Sequence, residues 1–439
     1  LRALIVGSGG REHALAWGLR QSPQLSDLWV AGGNAGTAQV ATNLSVNPED
    51  VDAVVAAALA HRIGLVVVGP EVPLANGLVD QLAAAGIPAF GPTKAAAQIE
   101  ASKGFARAIM QEAGVPGPDY HVFHDQGSAL DFVRKNSGPV VIKADGLAAG
   151  KGVAICRNAE EASVAVRACM NHRLFGKAGE TIVIEEMLSG PEVSVFAFCD
   201  GQRVSTPVAA CDYKRVGDGD VGPNTGGMGS FTPPSFWTES LASCIVDQVM
   251  RPTVEMMASQ GTPYHGMLYA GIMLTDAGPK VLEFNCRFGD PETQVVLPLL
   301  RSDPIEVMLA CVEGRLATVP VEWRNQARVG VVMTSGGYPA AFQTGYAIHG
   351  LELEQEDTQV FHAGTTLISD GGTARVVTSG GRVLTVTGWG ESLEDARTSA
   401  YRRVERISFE GAYYRNDIGM PGSILGEKVW SPGQATRTG

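Results

Sequence analysis

Cysteine is scarce in this chain, seven residues in 439. The number is odd and no CxxC occurs, which excludes a zinc ribbon and argues against a disulfide framework. None of the eight histidines falls in an HExxH, so a zincin-type helix is excluded as well. No run of 18 uncharged apolar residues is present, and the chain enters a strand pattern at once with no basic or apolar leader ahead of it. Neither a membrane span nor a secretory signal is expected. Runs of Lys and Arg are also missing, and the formal net charge is −12. Such a surface repels nucleic acid and anionic membranes, so no partner of either kind is expected, and an anionic substrate must be met by locally placed cations and backbone amides. Buried thiols suit a reducing compartment, and the expectation is a soluble, cytoplasmic protein.

What the chain has in plenty is glycine, 54 residues, and many of them sit where apolar runs end. The length suggests about three domains. In the first third, apolar runs at 4–6, 28–31, 65–68 and 88–90 alternate with helical patterns at 13–20, 51–60 and 74–85. This alternation predicts a doubly wound parallel sheet, with ligands at the carboxyl ends of the strands. Those ends carry Gly9 and Gly10, Asn34, and Glu71. The first, GxGGxE, is a candidate phosphate cradle at a helix start. A dinucleotide site would also need an acid after the second strand, where Gly32-Gly33-Asn34 stands instead, and this argues against an NAD-dependent oxidoreductase.

The pattern changes near residue 101, where Ser102-Lys103 opens a helix. A strand at 139–143 runs into Asp145 and a glycine loop that ends Gly150-Lys151-Gly152. A Walker A loop needs Gly at 145 and Ser or Thr at 152, so this is not a P-loop. A glycine flap between two strands, with Lys143 projecting from the first, is another way to cover a triphosphate. The strand at 181–184 leads to Glu185-Glu186-Met187-Leu188 and then to Glu192; a linker of this kind offers an adenine ring an apolar slot with backbone donors and acceptors at its edge. A polar glycine-rich stretch follows, from Asp212 and Lys214 to Gly229, reading as part of a site or a surface excursion.

The densest chemistry lies at 281–287. Strand alternation puts Glu283, Asn285 and Arg287 on one face and Leu282, Phe284 and Cys286 on the other. A carboxylate and an amide oxygen about 7 Å apart along a strand are hard ligands that can share Mg²⁺ with nucleotide phosphates. Arg287, next on that face, can grip a carboxylate or phosphoryl oxygen with two donors.

Lys103, Lys143 with GLAAGKG, EEML with Glu192, DYKR with PNTGGMG, and EFN occur in the order of the ATP-grasp superfamily. More narrowly, GSGGREHAL, VGPEVPLANG, IKADGLAAGKGV, DYKRVGDGDVGPNTGGMG and LEFNCRFGDPETQ resemble the phosphoribosylamine–glycine ligase family, over nearly the whole chain. One departure is Gly32, where that family's PGNAG block has Pro, which predicts a looser loop. The resemblance implies an α/β multidomain fold. Its parts are an N-terminal doubly wound parallel sheet over 1–101, an ATP-grasp domain over 102–327 with a lid at about 120–187, a C-terminal mixed α/β domain over 328–428, and a tail at 429–439.

It also implies a reaction, glycine joined to 5-phosphoribosylamine with ATP cleaved to ADP and phosphate, through glycyl phosphate, in purine biosynthesis. By position, Lys103 and Lys143 would meet ATP phosphates; Glu185, Glu186, Met187 and Leu188 would frame the adenine; and Glu192 would take the ribose. Lys214 falls on the nucleotide side. Glu283 and Asn285 would hold Mg²⁺ or Mn²⁺. Arg287 and the Gly289 amide would face the glycine carboxylate, and Asp212 its ammonium. Gly9 and Gly10 would take the 5-phosphate of the ribosylamine, with Asn34 and Glu71 near its sugar. The partners implied are these small molecules and, transiently, the enzyme that makes the labile ribosylamine. The C-terminal part offers no catalytic constellation and reads as packing. An ATP-grasp ligase using another amino acid and an ATP sensor without turnover remain as rival readings.

Overall fold

The computed structural model of the chain describes residues 1–136, 138–148, 152–172, 174–370 and 373–422. The flap residues Ala149, Gly150 and Lys151 and the expected tail lie outside them.

The N-terminal strands form one parallel sheet in the order Thr42–Leu44, Asp27–Gly32, Arg2–Gly7, Leu65–Val68, Ala89–Phe90. Leu4, Ile5, Val66 and Val67 are fully buried, because helices cover both faces, and this is why the strands read as unbroken apolar runs. The helix expected over 74–85 is in fact two, Glu71–Ala75 and Leu78–Ala84. Gly77 between them stands at φ +91°, a left-handed conformation that ends the first turn and restarts the chain.

Gly32 corrects another expectation. Its φ is +92°, a value a proline ring forbids, and a Cβ there would lie 2.4 Å from the Ser8 hydroxyl. The loop is held, with the Gly33 amide bonded to the Gly7 carbonyl at 3.0 Å. Gly32→Pro should therefore lower stability by about 2 kcal/mol or more, read as a fall in Tm; an unchanged or raised Tm would show that this backbone conformation is dispensable.

The centre of the molecule is an eight-stranded sheet. Its order is Gly278–Asn285, His265–Thr275, Glu192–Asp200, Val208–Asp212, Gly229–Thr232, Ala327–Thr334, Arg382–Gly390, Thr358–His362. The last three strands come from the C-terminal part, so that part extends the central sheet and has Ala327–Thr334 as its seam. A separate four-stranded sheet, Tyr120–Phe123, Ile182–Glu186, Val140–Ala144, Val153–Cys156, is backed by helices Gln126–Lys135 and Ala159–Met170 through Ala129, Val133, Ile142, Val166 and Ile184. The cleft lies between these two sheets. The helix Lys103–Ala113, capped by the Ser102 hydroxyl on the Phe105 amide, crosses beside it and buries Arg107.

Candidate active site

The strand Gly278–Asn285 forms one wall. It pairs with His265–Thr275, but the register passes from Gly271 opposite Glu283 to Ile272 opposite Val281, skipping Leu282. The irregularity interrupts the strict alternation expected here and turns backbone carbonyls toward the cleft. The Leu282 carbonyl accepts from Lys143 Nζ and from Arg107 Nη2, both at 2.8 Å, and the Val281 carbonyl accepts from Arg107 Nη1 at 3.0 Å.

Arg107 and Lys143 meet again on Glu185. Arg107 binds that carboxylate through two donors at 2.7 and 2.9 Å, and Lys143 lies 2.8 Å from Oε2. All three side chains are buried. Burial works against the Glu185 charge, but Lys143 and Arg107 outweigh it and hold the carboxyl below its usual range. Burial pushes the Lys143 ammonium below its own, against the pull of Glu185. Two cations share one carboxylate, so the trio is short of an anion. The carboxylate expected to frame an adenine edge is thus taken up inside the wall. Glu186 is directed to Lys280 at 3.2 Å, which leaves the backbone of 186–188 as the edge of the slot, with Met187 exposed.

Glu283 is the most cation-rich carboxylate of the cleft. Burial raises its pKa, but Lys214, Lys143, Lys103 and Arg287 outweigh that and keep it ionised. Lys103 donates to the Gly146 carbonyl at 2.6 Å, and Asp145 beside it accepts from the Gly104 amide at 3.1 Å, so the flap rests on the helix start. Lys214 pairs with Glu192; burial opposes its charge, but Glu192, Asp212 and Glu283 raise its pKa well above the usual range.

Arg287 stands just past the strand end. Its guanidinium contacts Glu71 Oε2 at 3.2 Å, Glu100 Oε1 at 3.0 Å, Asn285 Oδ1 at 3.2 Å and the Phe288 carbonyl at 3.2 Å. Burial opposes its charge, but Glu100 and Glu71 outweigh it and raise its pKa. Glu71, expected near a sugar, is therefore a partner of Arg287. Beyond it, Glu292 accepts from the Tyr269 hydroxyl at 2.9 Å and closes on Gly289, where a Cβ would lie 2.5 Å from Glu292 Oε2. Asp212 lies within electrostatic reach of Glu292. Burial, with Glu292 and Glu192 adding and Lys214 opposing, lifts its pKa to about 7; burial also raises that of Glu292.

Two of the expected ligand groups are already bonded within the chain. The Gly9-Gly10 turn is no open phosphate cradle, because the Gly9 amide already donates to Glu12 at 2.5 Å and the Arg11 amide to Asp290 at 3.3 Å. Gly10 is packed against Gln294, 2.6 Å from where its Cβ would stand, so an anion arriving there would meet carboxylates. Asn34 is consumed as well. Its Nδ2 donates to the carbonyls of Ser8, Gly9 and His362, and its Oδ1 accepts from the Gly36 and Thr37 amides. It is a clamp between loops, with no bonding capacity left for a sugar. Arg107, Glu100 and Glu292 were not singled out by sequence; the only signal for Glu292 was its place in GDPET.

Among the described residues no group of three or more His, Cys, Asp or Glu could hold a metal ion. Glu283 and Asn285 nonetheless fit a divalent cation that is mostly held by phosphates and water, since they offer one ionised carboxylate and one amide oxygen.

The comparisons agree along nearly the whole length. Residues 1–100 match the phosphoribosylglycinamide synthetase N domain, 101–293 its ATP-grasp (A) domain and 328–421 its C domain. The phosphoribosylamine–glycine ligase of Yersinia pestis is 48% identical over 423 residues, 95% of this chain and 98% of that one. The Nostoc enzyme of the same name is 47% identical over 424 residues, 95% and 99% of the two chains. Among solved structures, phosphoribosylamine–glycine ligase from Thermotoga maritima superposes with TM-score 0.81 at 34% identity, covering 95% of this chain and 100% of that. Biotin carboxylase from Campylobacter jejuni, with TM-score 0.73 at 14% identity over 94% and 92% of the two chains, shares the fold alone. With three family domains in order and near-complete cover at close to half identity, the chain belongs to the phosphoribosylglycinamide synthetase family, in the ATP-grasp superfamily.

Proposed function

We propose that the chain ligates glycine to 5-phosphoribosylamine, giving glycinamide ribonucleotide, ADP and phosphate, a step of purine biosynthesis. The observation that carries this reading is the buried carboxylate of Glu283, kept ionised by the charges of Lys214, Lys143, Lys103 and Arg287, a concentration of cations suited to phosphates beside an oxygen ligand for a metal ion. In the first step a glycine carboxylate oxygen attacks the γ-phosphorus of ATP and ADP leaves. In the second the ribosylamine nitrogen attacks the acyl carbon, phosphate leaves and the nitrogen loses a proton. The first step brings anions together, so orientation and charge neutralisation carry the catalysis.

Lys143 and Lys103 take the nucleotide phosphates, the 186–188 backbone the adenine, and Glu192, held by Lys214, the ribose. Glu283 and Asn285 would hold Mg²⁺, or Mn²⁺ in its place, and the bound ion would supply positive charge beside the nucleotide phosphates. Arg287 and the Gly289 amide receive the glycine carboxylate, and Asp212 with Glu292 receives the ammonium. We place the protein in the cytoplasm on its seven cysteines, an odd number with no CxxC among them; cell fractionation that finds it in an oxidising compartment would refute this.

The test is phosphate release from Mg-ATP with glycine, alanine or aspartate, with and without freshly generated phosphoribosylamine. Release is expected to need both glycine and the ribosylamine. Equal release with alanine would redirect the reading to another ATP-grasp ligase, and ATP binding without turnover to a sensor.

The ammonium site makes a pH prediction. With its pKa lifted to about 7, the Asp212 carboxyl is mostly protonated at pH 6 and ionised at pH 8, and only the ionised form attracts an ammonium. The KM for glycine should rise about tenfold from pH 8 to pH 6. Asp212→Asn should flatten that slope and leave the KM high throughout; an unchanged slope would remove Asp212 from the site.

A further inference from the structure

Asp212 ends the strand Val208–Asp212, and the stretch that runs on from it through Lys214 packs against the far end of the chain. Between those two residues Tyr213 turns away from the cleft and is buried. Its ring centroid lies 4.8 Å from the Arg415 guanidinium carbon, and its hydroxyl accepts from the Gly419 amide at 2.8 Å. Arg415 is wholly buried, at 0% exposure. It donates to both Asp417 oxygens at 2.7 Å and to the Arg215 carbonyl at 2.9 Å, and it stands 3.6 Å from Asp220. Asp417 in turn accepts from the Gly219 amide at 2.8 Å. Farther out, Asn416 makes two bonds to Asp218 at 2.8 and 3.0 Å, and the Tyr413 hydroxyl donates to the Val216 carbonyl at 3.0 Å. The strap 413–419 is itself tied down: Tyr401 of the helix Leu393–Val404 donates to the Arg415 carbonyl at 2.7 Å, and Arg397 to the Asn416 carbonyl at 2.6 Å.

Desolvating a guanidinium is costly and is tolerated where its bonds are complete. Here most of those bonds run to a single hairpin, Arg215–Gly217 with Val221–Asn224, or to Asp417, which holds the same hairpin. Tyr213 is the link inward. Its neighbours on either side are the residues that reach Glu192 and that interact with Glu292, so moving Tyr213 moves both charged groups. We infer that Arg415 is a positioning residue for the amino acid substrate, setting the places of Asp212 and Lys214 through Tyr213 without touching substrate. This rests on the reading that Asp212 receives the glycine ammonium.

Arg415→Lys keeps the charge and loses the planar fork. The double change Asp218→Ala with Asn416→Ala releases the outer strap at exposed positions and keeps the fold intact if the buried variant does not fold. Both should raise the KM for glycine about tenfold while the KM for ATP changes by less than about twofold, and both should speed tryptic cleavage at Arg215. A merely structural role would raise both KM values together, and that result overturns the inference. So would faster cleavage with an unmoved glycine KM, or a hairpin no more exposed to trypsin than before. Asp212→Asn separates the two ideas. If it leaves the glycine KM unchanged, the reading of Asp212 is wrong and the inference falls with it; if it raises that KM while the strap variants do not, Arg415 alone is ruled out.

Discussion

Arg287→Ala is expected to lower kcat by about 10²- to 10³-fold and to change the Kd for ATP by less than about threefold. The guanidinium is immobilised before any ligand arrives, by Glu71, Glu100, Asn285 and the Phe288 carbonyl. A group fixed in this way can stabilise charge that develops on the transferring phosphoryl or the acyl phosphate without reorganising. Its removal also strands two carboxylates, one of them, Glu100, already pushed upward by burial. A fall in stability of about 3 kcal/mol should accompany the kinetic loss, so the measurement needs Tm and single-turnover rates together. Arg287→Lys divides the two effects. It should recover much of the stability and little of the rate, because an ammonium supplies charge without a paired fork. Full recovery of kcat by lysine would reduce the role of Arg287 to bulk charge, and equal losses in kcat and ATP affinity would remove its transition-state role.

How far the site could be read in advance depends on the range of each interaction. The residues Glu283, Asn285 and Arg287 share one short segment, so their spacing was legible, and so was the N-terminal parallel sheet from its apolar runs. Arg107 was hidden because its partner Glu185 lies 78 positions away, and an arginine in an amphipathic helix looks like part of a solvated face. Glu100 was hidden for the same reason, 187 positions from Arg287. Turns are the opposite case. Gly9, Gly10 and Asn34 carry the chemistry of a ligand cradle, but glycine and asparagine satisfy the chain's own amides and carbonyls with the same groups. Sequence shows that a loop can bond tightly and not to what. Tyr213 is a third case, read within DYKR as part of a polar loop, while its meaning comes from Arg415, distant in sequence but stacked on its ring.

Arg107→Ala is expected to destabilise the protein by about 3 to 5 kcal/mol and to weaken ATP binding by about 10- to 100-fold, which is about 1.4 to 2.7 kcal/mol. The stability loss follows from burial, since Glu185 and the carbonyls of Val281 and Leu282 all lose a donor. The loss of affinity follows from charge. With Arg107 present, Glu185 is neutralised twice and Lys143 can turn to a phosphate while the carboxylate keeps a partner. Without it, Lys143 is the sole counter-ion in the wall, and moving it to ATP would leave Glu185 buried and unpaired. The nucleotide must then compete for a lysine that the fold needs. If this is the cause, Glu185→Gln in the Arg107→Ala background should restore ATP affinity to within about threefold of the wild type, because a neutral amide no longer retains the lysine. Calorimetric ATP titration of the two single variants and the double variant checks this at one temperature below every Tm. An affinity no better in the double variant than in Arg107→Ala would mean that Arg107 acts by docking the helix Lys103–Ala113 against the strand Gly278–Asn285, with the charge on Glu185 playing no part in nucleotide binding.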